Sequence, residues 1–250
     1  MKLFTKKYLT ANKRKILLIS VVFIVSFPLV WFGYHTHEKN RIARYESFLE
    51  AGKYHMENRE VDKAILDFTG IIENSPFKEY RGYLLRAICY SLKNDYEKVL
   101  ADTEQVLKRK SFKESKEDSV LVYSLRAEAY RYTDRYEEAV KEYEKAYLLD
   151  EKNSEVVNGY VGGLVVLDQN EKAYEIIKKY FEITPKEEYW DDVDAWYNRA
   201  FASYKTHRCI EAGTSAWHFL MRARSEKEKQ VGEGIMHNAL NDEYCIDKEK

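Results

Sequence analysis

The sequence predicts an all-α protein built from repeated helix pairs, and three observations support that class. Its 250 residues include only 3 prolines and 10 glycines, so helices are rarely interrupted. The chain combines 45% hydrophobic with 33% charged residues, which suffices for a buried core and for solvated outer helix faces. A pattern of small and aromatic residues also returns at steps of 34 to 40 residues.

The net charge of −1 conceals an uneven distribution. Residues 1–34 carry six basic side chains and no acidic one, so this part has a charge of +6 and residues 35–250 have −7. The six are Lys2, Lys6, Lys7, Lys13, Arg14 and Lys15. A mildly acidic body does not attract phosphate backbones, which argues against a nucleic-acid partner.

The first predicted element is a membrane anchor. Residues 16–34 contain no charge, and 19 helical residues are about as long as the hydrocarbon core of a bilayer is thick. Pro28 is tolerated in such a span, and Trp31, Phe32 and Tyr34 are suited to the interface at its end. We therefore predict a basic cytoplasmic N-terminus at 1–15 and a transmembrane helix at 16–34.

A cleaved secretory signal is the competing interpretation of this segment. Residues 29–34 offer no small-x-small cleavage site, and no cysteine follows the apolar run, which excludes a bacterial lipoprotein anchor. Six bases precede the span and four fall within the twenty residues after it. The positive-inside rule therefore places the N-terminus in the cytoplasm, and residues 35–44 become a juxtamembrane linker beyond the membrane.

The repeats are recognised by pairs of small residues twelve positions apart. Successive pairs are offset by 35, 40, 34 and 39 residues, and the longer steps contain polar segments at 111–119 and 185–192 that read as loops. The pairs are Gly52 with Ala64, Ala87 with Val99, Ala127 with Ala139, Val161 with Ala173, and Ala200 with Ala212. Small residues at both places allow two helices to approach closely.

A helix start signal accompanies three of these pairs. A short polar residue stands three positions before a glutamate, as in a capping box, and this predicts the start of the second helix in each unit. The signals are Asn94 with Glu97, Asp134 with Glu137, and Asp168 with Glu171.

The spacing and the small and aromatic positions resemble tetratricopeptide repeats. The best unit covers 120–153, and the others are framed at 45–78, 80–113, 154–187 and 193–226. The signature places of that unit hold Tyr123, Ala127, Tyr130, Tyr136, Ala139, Tyr143 and Ala146. The resemblance implies a right-handed α-solenoid of about five helix pairs over 45–226. Val99 and Val161 depart from the small-residue pattern, and the fifth unit lacks the start signal.

Residues 227–250 are predicted to form a capping helix and tail. Val231, Ile235, Met236, Ala239 and Leu240 are spaced for one helical face, which would shield the last repeat from water.

Candidate catalytic and metal residues are few. His35 and His37 lack a third ligand of set geometry, the three cysteines show no C-x-x-C spacing, and no phosphate loop or hydrolase motif occurs. We therefore predict no catalytic residue, no metal, no cofactor and no small-molecule substrate. Buried free cysteines are the simpler interpretation, although Cys209 and Cys245 would pair in an oxidising compartment.

Two further sequence features are open to more than one interpretation. The glycines at 159, 162 and 163 indicate either close helix packing or a loosened first helix in the fourth unit. Five acidic residues between 187 and 194 offer charge for a basic partner or calcium, while a solvated loop is the simpler interpretation.

The family resemblance implies that the first helices line a concave groove for an extended ligand. The predicted groove residues are Leu84, Ile88, Leu92, Glu128, Arg131, Tyr132, Tyr197, Phe201 and Tyr204. The places where related proteins clamp a chaperone's C-terminal carboxylate hold Lys53 but otherwise leucines, so an apolar or aromatic peptide is the expected ligand. Alternatively, these side chains pack between helices and the frame is off by one residue.

Together these features predict a non-enzymatic, membrane-anchored scaffold that binds a protein or peptide partner in a bacterial cell-envelope assembly. Its repeats would lie on the periplasmic side of the inner membrane. An organelle-surface receptor with its repeats in the cytosol, and an inhibitor or immunity protein that blocks one target, are the alternatives. A divergent enzyme on a repeat scaffold has no residues in its favour.

Overall fold

The computed structural model describes residues 31–32, 34–74, 80–109, 112 and 115–241. Within these residues the regular structure is helical and contains no strand, which confirms the all-α class. The predicted span at 16–34 lies outside the described residues except for positions 31, 32 and 34. Among the helices that are described, none has the length and hydropathy needed to cross a bilayer.

The described helices form five successive pairs with two additional helices. The pairs are α1 (which includes residues 34–57) with α2 (Val61–Asn74), α3 (Arg81–Leu92) with α4 (Tyr96–Leu107), α5 (Lys116–Tyr132) with α6 (Tyr136–Leu149), α7 (Ser154–Val166) with α8 (Asn170–Ile183), and α10 (Val193–Lys205) with α11 (Cys209–Leu220). A short helix, α9 (Lys186–Tyr189), precedes the fifth pair, and α12 (Glu226–Asn241) follows it. The chain divides into two compact units, one up to Gly82 and one from Tyr83.

The first unit is held together by close packing of α1 on α2. A Cβ at Gly52 would overlap the ring of Phe68, and one at Gly70 would lie 2.8 Å from the ring of Phe48. Phe68 is 1% exposed, so the two glycines let aromatic rings fill the space between the helices. His55 Nδ1 lies 2.6 Å from Asp67 Oδ2 and adds a polar link between the same helices.

The second unit has a large core cluster that runs from α5 to α11, and a smaller cluster beside α12. The small residues that define the repeat are fully buried there, as predicted from their spacing. Each of them has 0% exposure: Ala87, Val99, Ala127, Ala139, Val161, Ala173, Ala200 and Ala212. Tyr143, Tyr160 and Tyr180 are each 1% exposed and fill the volume around them. Close approach of the paired helices therefore depends on the small positions.

The predicted capping boxes are wrong. Asn94, Asp134 and Asp168 adopt left-handed φ values of 58°, 58° and 57° in the turn after each first helix, and the second helices begin without a side-chain cap. Asp95 N donates to Tyr90 O (2.9 Å) while Asn94 N donates to Ser91 O (2.9 Å). This is the Schellman pattern that ends a helix, and short polar side chains tolerate its left-handed residue.

The same turn occurs in all five pairs. Arg59 (φ 60°) and His207 (φ 58°) occupy this position in the first and fifth, with equivalent hydrogen bonds. Side-chain N-caps are found instead on first helices, where Ser115, Asn153 and Asp192 accept hydrogen bonds from backbone amides of α5, α7 and α10. The turn thus requires a residue with left-handed backbone conformation, and residues with different side chains meet that requirement.

The two segments predicted as polar loops are partly helical. α5 begins at Lys116, and Lys186–Tyr189 forms α9. The second segment also supplies aromatic packing, since Tyr189 lies 4.5 Å from Phe181 between ring centroids and Trp196 Nε1 donates to Trp190 O (3.1 Å). The segment at 185–192 therefore supplies aromatic contacts as well as charge.

His218 belongs to this aromatic cluster and provides a pH test. Its ring stacks on Trp196 with centroids 4.1 Å apart, and its pKa is lowered because burial and the charges of Arg222, Lys186 and Arg199 disfavour the protonated ring. Because the pKa of the ring is lower in the folded protein, the unfolded chain binds a proton on His218 more readily. The stability that the neutral ring contributes is therefore fully present above the ordinary pKa of 6.5, and it is lost as the pH falls below that value.

Replacing His218 with glutamine should therefore make the free energy of unfolding less dependent on pH between 7.5 and 5. Chemical denaturation at several pH values measures this slope. His237→Gln, at an exposed position in α12, is the matched control and should keep the parent's slope. Equal slopes in the parent and both variants would contradict the assignment.

The C-terminal helix packs as a cap, and its buried face coincides in part with the predicted one. Gly232, Ile235 and Ala239 are buried, Met236 is half-buried, and Val231 and Leu240 are exposed.

Cys209 is disulfide-bonded, while its predicted partner Cys245 lies outside the described residues.

Candidate partner-binding groove

The main concave surface of the second unit follows α5, α7 and α10. Two adjoining cavities, of about 450 and 560 Å³, share Glu128 and Glu155 in their walls and form one continuous groove. Its acidic lining residues are Glu117, Glu128, Asp150, Glu155, Asp192 and Asp194. Its basic lining residues are Lys116 and Arg131.

The glycines of α7 shape the centre of the groove. α7 is a continuous helix, in which Gly159 allows the ring of Tyr143 to pack against its backbone and Gly163 lies close to Val140. A Cβ at Gly162 would meet nothing within 4 Å, and this residue borders the second cavity. The close-packing interpretation of these glycines is therefore confirmed for two of them, while the third leaves open space.

Asp192 organises one end of the groove. It caps α10 by accepting from Ala195 N (2.9 Å), and it also accepts hydrogen bonds from Ser154 Oγ and from Asn158 Nδ2 (3.2 Å). Asn158 Oδ1 in turn accepts from Asn198 Nδ2 (3.0 Å). This chain of hydrogen bonds ties α7 to α10 and fixes the side chains between them.

Glu128 and Arg131 form a paired charge in the middle of the groove. Arg131 Nη2 donates to Glu128 Oε2 (2.6 Å), and the Tyr143 hydroxyl donates to the other carboxylate oxygen. Burial would lower the pKa of Arg131, but the hydrogen bond and charge of Glu128 outweigh it, so this pKa is raised. The pKa of Tyr143 is also raised, first by burial and then by the Glu128 charge.

An aromatic pair borders the first cavity. Tyr132 stacks on Tyr96 with ring centroids 5.0 Å apart and planes 8° apart, and it remains 55% exposed. The guanidinium of Arg131 lies 4.2 Å from the centroid of the Tyr132 ring. One wall of the groove thus combines a stacked aromatic pair with charged residues.

The structure places four of the nine predicted groove residues in the walls: Glu128, Arg131, Tyr132 and Tyr197. Ile88 is half-buried and Leu92 is 61% exposed, and neither lines these two cavities. Leu84 is 4% exposed, so it is a core residue and is removed from the candidate surface.

The aromatic stripe predicted on α10 is used mainly for packing. Phe201 and Tyr204 are half-buried and pack with Tyr197 and Met236 against a small cluster of Ala200, Ala216 and Ile235. Since α12 packs on both α10 and α11, it covers the face that the stripe would otherwise expose. The alternative of packing between helices is therefore correct for these two aromatic residues.

The sequence argument missed the contribution of α7 and of the start of α10. Glu155, Asn158 and Gly162 line the groove, together with Asp194 and Asn198. The groove is consequently acidic as well as partly apolar and aromatic, and the expected ligand preference took no account of this charge. A signal existed in the acidic cluster at 187–194, which contains both Asp192 and Asp194. No group of three or more His, Cys, Asp or Glu side chains arranged to hold a metal occurs in the described residues.

Comparison with known proteins identifies the repeat. The tetratricopeptide-repeat (TPR) family profile matches residues 120–153, which is the unit that the sequence pattern marks as best. No curated protein matches the whole sequence significantly. The match and the helix-pair architecture show that the chain contains a tetratricopeptide repeat and has the fold of that family.

Several solved structures share this fold. Pseudomonas aeruginosa pilF has a TM-score of 0.62 at 13% identity, with 83% of this chain and 90% of that chain covered. PilW, a type IV pilus biogenesis factor, has 0.60 at 15% identity, with 82% and 90% covered. YrrB, described as a TPR protein with an unusual peptide-binding site, has 0.57 at 19% identity, with 72% and 87% covered. At these identities the likeness concerns the fold alone.

Proposed function

We propose that the chain is a non-enzymatic, membrane-anchored scaffold that holds an extended segment of a protein partner in the groove of α5, α7 and α10. The continuous groove carries this proposal. Gly162 leaves its centre open, and the hydrogen bonds that Asn158 donates to Asp192 and accepts from Asn198 fix its wall. Because the side chains of this wall are already held in place, they lose little conformational entropy when a flexible ligand binds.

Two further considerations support the assignment. Proteins of this fold generally act by binding other proteins, and YrrB is named for a peptide-binding site. The uncharged segment 16–34 and the bases before it support an anchor with the repeats outside the cytoplasm. PilW is a pilus biogenesis factor, and an envelope assembly of that general kind agrees with a repeat domain held at the inner membrane.

Blocking the groove tests the binding part of the proposal. Gly162→Phe should place a ring in the open space without disturbing the core, because a Cβ there meets nothing within 4 Å. Gly213→Phe in α11 is the matched control, since that glycine is equally free of neighbours and lies outside the groove walls. After crosslinking in native membranes, Gly162→Phe should recover less than about a tenth of the partner that the parent and the control recover. Equal recovery by both variants would contradict groove binding.

Reporter fusions test the location. Alkaline phosphatase at the C-terminus should be active, and green fluorescent protein at the same place should be dark, because the repeats are placed outside the cytoplasm. The reverse pair of results would contradict the envelope placement and would favour the receptor whose repeats face the cytosol.

A further inference from the structure

The lining of the groove carries more negative than positive charge. Its lining has six acidic and two basic side chains, a net charge of −4. One of the two bases, Arg131, is already paired with Glu128. A ligand that enters this groove therefore meets uncompensated negative charge along most of its length.

Two of the carboxylates are available to a ligand. Glu155 of α7 and Asp194 of α10 are exposed, and neither forms a hydrogen bond or ion pair with the described residues. The pKa of Asp194 is raised, first by partial desolvation of its carboxylate and then by the neighbouring Asp192, although the charge of Arg224 acts in the opposite direction.

Asn198 points to the same chemistry independently of the charges. It is 8% exposed and borders the second cavity, and its Nδ2 is fixed by a hydrogen bond to Asn158 Oδ1. Its Oδ1 accepts no hydrogen bond from the described residues and is not among their buried unsatisfied atoms, so it remains open to a donor at the groove. A buried amide held in this way is a fixed acceptor.

An apolar ligand fits these features poorly. It would cover Glu155, Asp194 and Asn198 Oδ1 without giving them a donor, and leaving a desolvated polar group unpaired is costly. A lysine side chain supplies three hydrogen-bond donors and an arginine side chain five, and each carries a positive charge.

We propose that the segment held in the groove is basic, with lysine or arginine side chains that pair with Glu155 and Asp194 and donate to Asn198 Oδ1. This inference rests on the proposed function and specifies the chemistry of the partner. Charge complementarity of this kind acts mainly on partner selection and association rate, so binding should weaken steeply with salt.

Fluorescence anisotropy with the full chain in a nonionic detergent tests the inference. The probes are three labelled ten-residue peptides in which serine alternates with lysine, with glutamate or with leucine. At low salt the lysine peptide should bind at least about ten-fold more tightly than the other two. The double variant Glu155→Gln with Asp194→Asn should raise its Kd about five- to twenty-fold, and Glu155→Lys with Asp194→Lys should raise it further.

The matched control removes the same charge outside the groove. Glu175→Gln with Glu182→Gln changes two exposed carboxylates of α8 and should alter the Kd less than about two-fold. Tighter binding of the leucine peptide, or equal effects of the two double variants, would overturn the inference. If Gly162→Phe abolishes partner capture while the Glu155 and Asp194 variant keeps it, groove binding stands and the basic partner is rejected. If neither affects capture, both proposals fall.

Discussion

Replacing Asp102 with alanine is expected to lower the free energy of unfolding by about 3 to 5 kcal/mol, the usual effect of removing one partner of a buried ion pair. Arg86 of α3 donates from Nε to Asp102 Oδ2 (2.8 Å) and from Nη2 to Oδ1 (2.7 Å). The two side chains are 19% and 7% exposed, so the substitution would remove a bidentate carboxylate partner from a mostly buried guanidinium.

A neighbouring exposed pair provides the control for this measurement. Lys98 and Asp95 lie on the same helix and its cap, with side chains 58% and 34% exposed. Lys98→Ala should leave the free energy of unfolding nearly unchanged, because water and salt screen exposed pairs. Arg86→Met combined with Asp102→Leu should recover most of the loss, since apolar replacement of both partners removes the buried guanidinium together with the carboxylate. A cost for Asp102→Ala no larger than that for Lys98→Ala would contradict the buried pair.

Replacing Ala139 with leucine is expected to destabilise the second unit by about 1 to 3 kcal/mol, as overpacking of a filled core does. Ala139 is fully buried in the cluster that contains Tyr143, Tyr160 and Val161. It occupies the position of the repeat at which a small residue lets α6 approach its partner helix. Lys141→Leu, at an exposed position of the same helix, should stay within about 0.5 kcal/mol of the parent. An unchanged thermal midpoint for Ala139→Leu would mean that the repeat frame is misplaced.

The repeat architecture was predictable because its signals are local. Small residues twelve positions apart mark helix contacts, and every such position in the second unit is fully buried. The turns were misassigned because asparagine and aspartate favour both helix caps and left-handed backbone, and the sequence does not reveal φ. Arg59 and His207, which are not cap residues, adopt the same φ and show that the turn geometry is the requirement.

The groove was only partly predictable because its walls depend on contacts between distant helices. Glu128, Arg131 and Tyr132 follow from the repeat frame. Phe201 and Tyr204 were misjudged because their environment is completed by Ile235 and Met236 of α12, more than thirty residues later. The role of Gly162 was not predictable from the sequence. Only the structure shows that Gly159 and Gly163 pack against neighbouring side chains while Gly162 borders open space.

Site-specific photocrosslinking from the groove tests the central claim most directly. A benzoylphenylalanine placed at position 162 should form, on irradiation of native membranes, a covalent adduct with one extended segment of a protein partner. The same group at position 213, which is equally free of neighbours but lies outside the groove walls, should give no such adduct. An adduct formed equally well from both positions, or only from position 213, would contradict binding in the groove of α5, α7 and α10.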